Sequence, residues 1–321
     1  MRIQWLFVLL LLPGLAGAAD FTTWRVPWEK TRPRDPAVDA QGQVWFVGQG
    51  GDYVASLDAA SGEFTRIELP EGAGPHNLIV DESGDLWIAG NRAGWIGRMN
   101  PANGDLRKIA TAERDVDDPH TLIQGKDGRV WFTAQQSNRI GVLDPADESL
   151  QVWEVPTPRA RPYGIVLDEN DQPWIVLLGT NRLATVEGGK LREIEMPRDD
   201  ARPRRLDVVD GNVWYVDYAE AYVGRYDPQK NEFREWLSPS GEDAAPYGAI
   251  ADDDGNFFYV ETGPQPNRMI GIDTGTGEFI YNKEIPDSGG AVRHMFHDAK
   301  RDAIWFGMDT NYIGRFDPPD E

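Results

Sequence analysis

Gly84-Asp85-Leu86-Trp87-Ile88 and Gly128-Arg129-Val130-Trp131-Phe132 are two copies of one phrase, a turn residue followed by apolar residues around an aromatic anchor. Five more copies follow the same pattern: Gly42 to Phe46, Asp171 to Ile175, Gly211 to Tyr215, Gly255 to Tyr259 and Asp302 to Phe306. The seven anchors are Trp45, Trp87, Trp131, Trp174, Trp214, Phe258 and Trp305, so the spacings are 42, 44, 43, 40, 44 and 47 residues. A second phrase follows most copies, as in Ile96-Gly97-Arg98, Ile140-Gly141-Val142, Val223-Gly224-Arg225 and Ile313-Gly314-Arg315. A third is a short strand ending at proline, such as Phe64 to Pro70 and Leu150 to Pro156. Gly and Asp-Gly supply turns, and Trp, Phe, Val and Ile suit a half-buried pleated surface. A period of roughly 40 to 50 residues with about four strands is the size of a propeller blade.

The expected fold is therefore all-β: a seven-bladed β-propeller with about four antiparallel strands per blade. The last repeat lacks the third phrase, and that phrase stands at the other end of the chain as Phe21 to Pro27. The N-terminal strand is expected to complete the last blade and close the ring, leaving only short protected edges. A β-sandwich has no reason to repeat seven times, and a solenoid would need caps.

Outside the repeat, Arg2, the apolar run Ile3 to Leu12 and Ala16-Gly17-Ala18 have the layout of a secretory signal peptide. Residues 1–18 are expected to be removed and 19–321 to form one propeller domain, periplasmic or secreted. The apolar run is shorter than the roughly 20 residues that span a bilayer, and membrane insertion is not expected. With no cysteine the fold must be held by its core alone. The formal net charge of −21 repels phosphate backbones and argues against a nucleic-acid partner. A monomer is expected.

Equivalent positions on seven inner strands should converge at one end of the channel. Eleven residues before the anchors stand Arg34, His76, His120, Tyr163, Tyr247 and His294, with Arg204 as the equivalent in the shorter fifth repeat. All are hydrogen-bond donors and none is acidic. Such a rosette suits an anionic or carbonyl-rich small ligand; it also suits a plug of polar side chains bonded to backbone carbonyls. The fourth histidine, His297, falls outside this register and is expected on the surface. Three or four residues after the anchors stand Gln49, Asn91, Gln135, Asp217, Glu261 and Asp309, expected at the same mouth. Glu261 and Asp309 come from adjacent blades and could share a divalent cation through oxygen ligands.

Pro75-His76-Asn77-Leu78, Pro119-His120-Thr121-Leu122, Trp131-Phe132-Thr133 and the repeated Ile-Gly-Arg together resemble the virginiamycin B lyase (streptogramin lyase) family over the whole mature chain. The resemblance implies a Mg²⁺-assisted elimination that opens an ester ring, with a histidine of the last blade as base and the metal stabilising an enolate. His294 matches that base, and Asp309 stands where the family has a longer glutamate. Tyr247 replaces an expected histidine, Val292 an expected glutamate and Arg293 the proline between glutamate and base. The resemblance leaves open an elimination on another ester or lactone, with Mg²⁺ as a possible cofactor. It equally leaves open a non-catalytic propeller holding a small anionic ligand or a partner protein. A lactone hydrolase of gluconolactonase type, using Asn91, Asp217 and Glu261, is a further alternative.

Overall fold

The computed structural model describes residues 20–319, so the leader expected at 1–18 lies outside the described residues. The described residues form seven four-stranded antiparallel sheets. Six of them use consecutive strands. The seventh is built from Val292–Asp298, Ala303–Met308, Tyr312–Phe316 and, at its outer edge, Phe21–Arg25. The closing ladder runs antiparallel from Phe21 opposite Phe316 to Arg25 opposite Tyr312. Trp24 of that strand stacks on the anchor Trp305 with ring centroids 5.5 Å apart. Asn311 donates from Nδ2 to the carbonyls of Val26 and Trp28 at 3.0 and 2.7 Å, which fixes the entry of the chain into the first blade. The seven-bladed propeller closed by its N-terminal strand is thus the observed fold. Among the described residues no helix is long and apolar enough to cross a membrane.

The recurring phrases have local physical causes. Asp39, Asp81 and Asp168 stand six residues before the anchors Trp45, Trp87 and Trp174. Each accepts from the anchor's indole N–H and from the backbone N–H groups two and four residues on. One carboxylate therefore shapes the turn and pins the buried ring. Gly125 and Ala299 stand six residues before Trp131 and Trp305, and among the described residues those two buried indole N–H groups have no acceptor. The glycine of the Ile-Gly phrase lies opposite the aromatic that follows the anchor. A Cβ at Gly141 would lie 2.2 Å from the Phe132 ring, and one at Gly314 2.3 Å from Phe306. The ring needs that space to lie flat on the next strand.

Apolar residues gather in clusters between neighbouring blades. Trp87, Ile96 and Ile109 of blade two, for example, pack with Leu122, Val130 and Phe132 of blade three. The hydrophobic effect thus holds blade against blade and leaves the axis to polar groups.

The inner strands are Pro33–Val38, Pro75–Val80, Pro119–Gln124, Pro162–Leu167, Pro203–Val209, Pro246–Ala251 and Val292–Asp298. Proline is tolerated at the first position of a strand. Just after that position every inner strand carries a bulge in which three steps oppose two on its partner. A bulge re-aims side chains. Here it delivers two successive residues per blade to the axis, in two tiers.

Asp81 also accepts from Arg98 at 2.9 Å. Asp81→Ala is expected to destabilise the protein by about 2 kcal/mol, because several buried or half-buried donors lose a charged acceptor together. Urea unfolding checks this, and Asp81→Asn should lose less.

Candidate functional site at the channel mouth

Six of the seven expected ring residues meet. Arg34, His76, His120, Tyr163, Arg204 and Tyr247 line one open cavity of about 290 Å³, shared with Gln49, Asn91, Gln135 and Gln136. The His76 and His120 rings lie 3.5 Å apart centroid to centroid, and Tyr163 lies 4.4 Å beyond His120. The Tyr163 and Tyr247 hydroxyls are 2.7 Å apart. The Arg204 guanidinium sits over the rings of Tyr218 at 4.4 Å and Tyr247 at 5.2 Å. Arg34 donates from a terminal nitrogen to Gln49 Oε1 at 3.1 Å.

His294 is not the seventh member. The residue opposite the anchor lies eight positions before it in blades one, two, three, four and six, seven before it in blade five, and nine before it in blade seven. The last hairpin is one residue longer, so counting eleven back stops one residue short of the ring. Val292 takes the place held elsewhere by proline, and Arg293 takes the ring position. Arg293 donates to Tyr247 Oη at 3.3 Å and pairs with Asp309 at 2.6 Å.

His294 belongs to the second tier, with Asp35, Asn77, Thr121 and Arg205. Arg205, which sequence reasoning passed over, crosses the channel. It donates to the Arg293 carbonyl at 2.9 Å and to Thr121 Oγ1 at 3.2 Å, and a terminal nitrogen lies 4.0 Å from Asp35. Asp35, also passed over, is buried between Arg34 at 3.6 Å and the side-chain amide of Asn77 at 3.0 Å. The signal for both was available, because each directly follows a ring residue and a bulge brings neighbours to the same axis. His294 lines a tight cleft between blades seven and one with Arg34, Asp35, Arg293 and Asp309.

Burial holds His294 down at about 4; Asp35 opposes this, and Arg205 and Arg34 reinforce it. Burial also holds His76 and His120 well below the usual histidine range, with Arg34 the next contributor for His76 and Arg205 for His120. All three imidazoles are neutral near pH 7. His297 is not a surface residue: its side chain is only 8% exposed, 3.5 Å from Asp302 and 3.9 Å from Asp253.

The carboxylates are otherwise engaged. Asp217 is fully buried and accepts from the backbone N–H groups of Arg202 and Ala219 and from Arg198 at 2.7 Å. Glu261 is fully buried and accepts from Ser238 Oγ at 2.6 Å, from the Ser240 N–H at 2.9 Å and from the Ser240 hydroxyl. Asp309 faces Arg293 and, at 3.9 Å, Arg32. Glu261 and Asp309 share no partner. Asn91 donates to the carbonyls of Asp118 and Pro119. Among the described residues no three His, Asp or Glu side chains gather in a way that could hold a metal ion. Mg²⁺ demands near-octahedral oxygen coordination, and this donor set does not fit it.

The virginiamycin B lyase family model matches residues 14–236. The chain belongs to that family. Virginiamycin B lyase from Staphylococcus aureus superposes with a TM-score of 0.83 at 22% identity, covering 93% of this chain and 99% of that one. A streptogramin B lyase superposes at 0.80 with 24% identity, covering 92% and 96%. A catalytically inactive histidine-to-alanine variant of the Staphylococcus aureus enzyme, solved with quinupristin, aligns equally well at 0.83 and 22%, with the same coverage of 93% and 99%. At these identities the superpositions speak for the fold. A search of curated proteins returned no match. Within this virginiamycin B lyase family member, the two cavities at the mouth are lined by four guanidinium groups (Arg32, Arg34, Arg204, Arg293) against three carboxylates (Asp35, Asp118, Asp309), and Arg205 lies one tier beneath.

Neutral buried histidines make stability depend on pH. Their folded values lie below the unfolded value near 6.5, so the contribution is full above that pH and is lost as pH falls toward the folded values. Between pH 7 and pH 5, His294 alone should cost about 2 kcal/mol of unfolding free energy. Urea titrations at the two pH values check this, and the loss should shrink in His294→Gln.

Proposed function

We propose that the mouth captures a small, carboxylate-bearing anion and does so without a divalent metal. The observation that carries this reading is the joining of Arg34, Arg204 and the two tyrosine hydroxyls in one open cavity, while the surrounding carboxylates are occupied by other partners. Guanidinium groups match carboxylates in a planar, two-pronged geometry. A local excess of positive charge in a chain of net −21 would also draw an anion toward the axis. We further propose export to the periplasm or medium, as the leader sequence suggests, and action as a monomer.

Calorimetric titration with simple mono- and dicarboxylates in EDTA tests the reading. Binding should weaken with salt and should fall roughly 10- to 100-fold in Arg204→Met, the effect of losing one charge-assisted contact. Equal affinity for neutral amide analogues, or a requirement for Mg²⁺, would overturn it.

A second reading keeps the activity the family name carries, opening of a type-B streptogramin ring, with His294 as base. The neutral imidazole, whose Nδ1 has no hydrogen-bond partner among the described residues, favours it. Its position one tier beneath the ring, in a tight cleft, counts against it. Chromatography of quinupristin with Mg²⁺ or EDTA, beside a His294→Ala variant, separates the two. Metal-dependent turnover lost in the variant would establish the second reading, and none is expected under the first.

A further inference from the structure

We propose that Tyr247 and Tyr163 are a proton-transfer pair that performs metal-independent β-elimination on a uronate-containing oligosaccharide whose carboxylate is held by the mouth arginines. This rests on the reading of the mouth as a carboxylate site.

The two phenols come from the inner strands of blades four and six and share a hydrogen bond of 2.7 Å beside the open cavity. Three cations face Tyr247. Arg293 donates to its oxygen at 3.3 Å, and its guanidinium lies 5.3 Å from the ring. Arg204 lies 5.2 Å from the ring. Arg34 approaches from blade one, and Tyr218 packs edge-on at 5.7 Å. Of the carboxylates around the mouth, Asp309 is tied to Arg293, Asp35 to Arg34 and Asn77, Glu261 to Ser238 and Ser240, and Asp217 to Arg198.

These surroundings separate the two hydroxyls. Burial pushes Tyr247 up, but the charge of Arg293, the hydrogen bond from Tyr163 and the charges of Arg204 and Arg34 outweigh it, leaving the phenol below its ordinary value. Burial and the neighbouring Tyr247 push Tyr163 up to about 12. Two linked groups driven apart in this way are a base and an acid.

The ligand class follows from the chemistry around the pair. A carboxylate neutralised by guanidinium makes the adjacent C–H acidic, and a negative charge developing there is stabilised by the same fixed cations. The amides of Gln49, Asn91 and Gln135 and the exposed ring of Tyr218 suit the hydroxyls and the flat face of a sugar. In the reaction Tyr247 phenolate takes the proton from the carbon beside the carboxylate. The C–H electron pair becomes the new carbon–carbon double bond, and the bond to the β-oxygen breaks. That oxygen leaves with the Tyr163 proton. The proton on Tyr247 then returns to Tyr163 across their hydrogen bond, restoring both groups without any co-reactant.

The test uses the full mature chain in EDTA with oligogalacturonide, oligomannuronate and hyaluronan oligosaccharide as probes. It follows the ultraviolet absorbance of a double bond conjugated to carboxylate, alongside calorimetric binding. Turnover is expected on at least one probe, rising with pH as Tyr247 ionises. It should fall at least roughly 100-fold in Tyr247→Phe, while binding falls by no more than the roughly 10-fold that one lost hydrogen bond accounts for. A tyrosinate absorbance titration should show one phenol ionising below the usual value near 10, absent in Tyr247→Phe. If that variant fails to fold, the wild-type titration and the pH profile decide. Carboxylate binding with no conjugated product from any probe overturns the pair's role and leaves the binding reading standing. Absence of all carboxylate binding overturns both. Turnover retained in Tyr247→Phe, or abolished by EDTA, overturns the proposal alone.

Discussion

The ladder between Phe21–Arg25 and Tyr312–Phe316 is the constraint on which the rest of this molecule depends. Seven blades that each bury apolar residues against their neighbours form a ring only if the first and last sheets also meet. Sharing a sheet between the two chain ends supplies that meeting with backbone hydrogen bonds and the stacking of Trp24 on Trp305. Once the ring is closed, the inner strands have no freedom to diverge. Whatever their bulges carry must meet at the axis.

What meets there is polar, and the closed ring makes its electrostatics severe. Asp35 and Arg205 face each other across the channel in the company of Arg34, Thr121 and Asn77, where few other partners can reach. A buried charge is tolerable only when paired and hydrogen-bonded. The same cations that satisfy Asp35 join burial in keeping His76, His120 and His294 neutral. One tier above, Arg293 binds Asp309 and reaches Tyr247, so a residue standing where the family resemblance implies a proline now orders the mouth. The chemistry of this family member is therefore organised by guanidinium and phenol groups, while its mouth carboxylates serve turns, serines and ion pairs.

The fold was legible in the sequence because each blade needs the same local solution. An aspartate or glycine turn precedes an anchor aromatic, and a glycine opposite the next ring makes room for it. Six ring positions were legible for the same reason, since proline at the strand start holds the count from blade to blade. In blade seven Val292 stands in that place and the hairpin is a residue longer, so the count shifted by one and put His294 where Arg293 lies. His297 looked like a surface residue because periodicity carries no information on what packs over the far end of a strand.

The sequence by itself determined the number of blades, the way the ring closes and the donor-rich character of its mouth, because these follow from local patterns repeated at a fixed period. Only the tertiary structure decided which carboxylates are spent. It alone revealed that Glu261 answers to Ser238 and Ser240, that Asp217 answers to Arg198, and that Arg205 of blade five reaches Thr121 of blade three and the backbone of blade seven. Those partners are far apart in the chain, and the strength of a charge pair depends on a separation and a burial that exist only once the blades have closed around the axis.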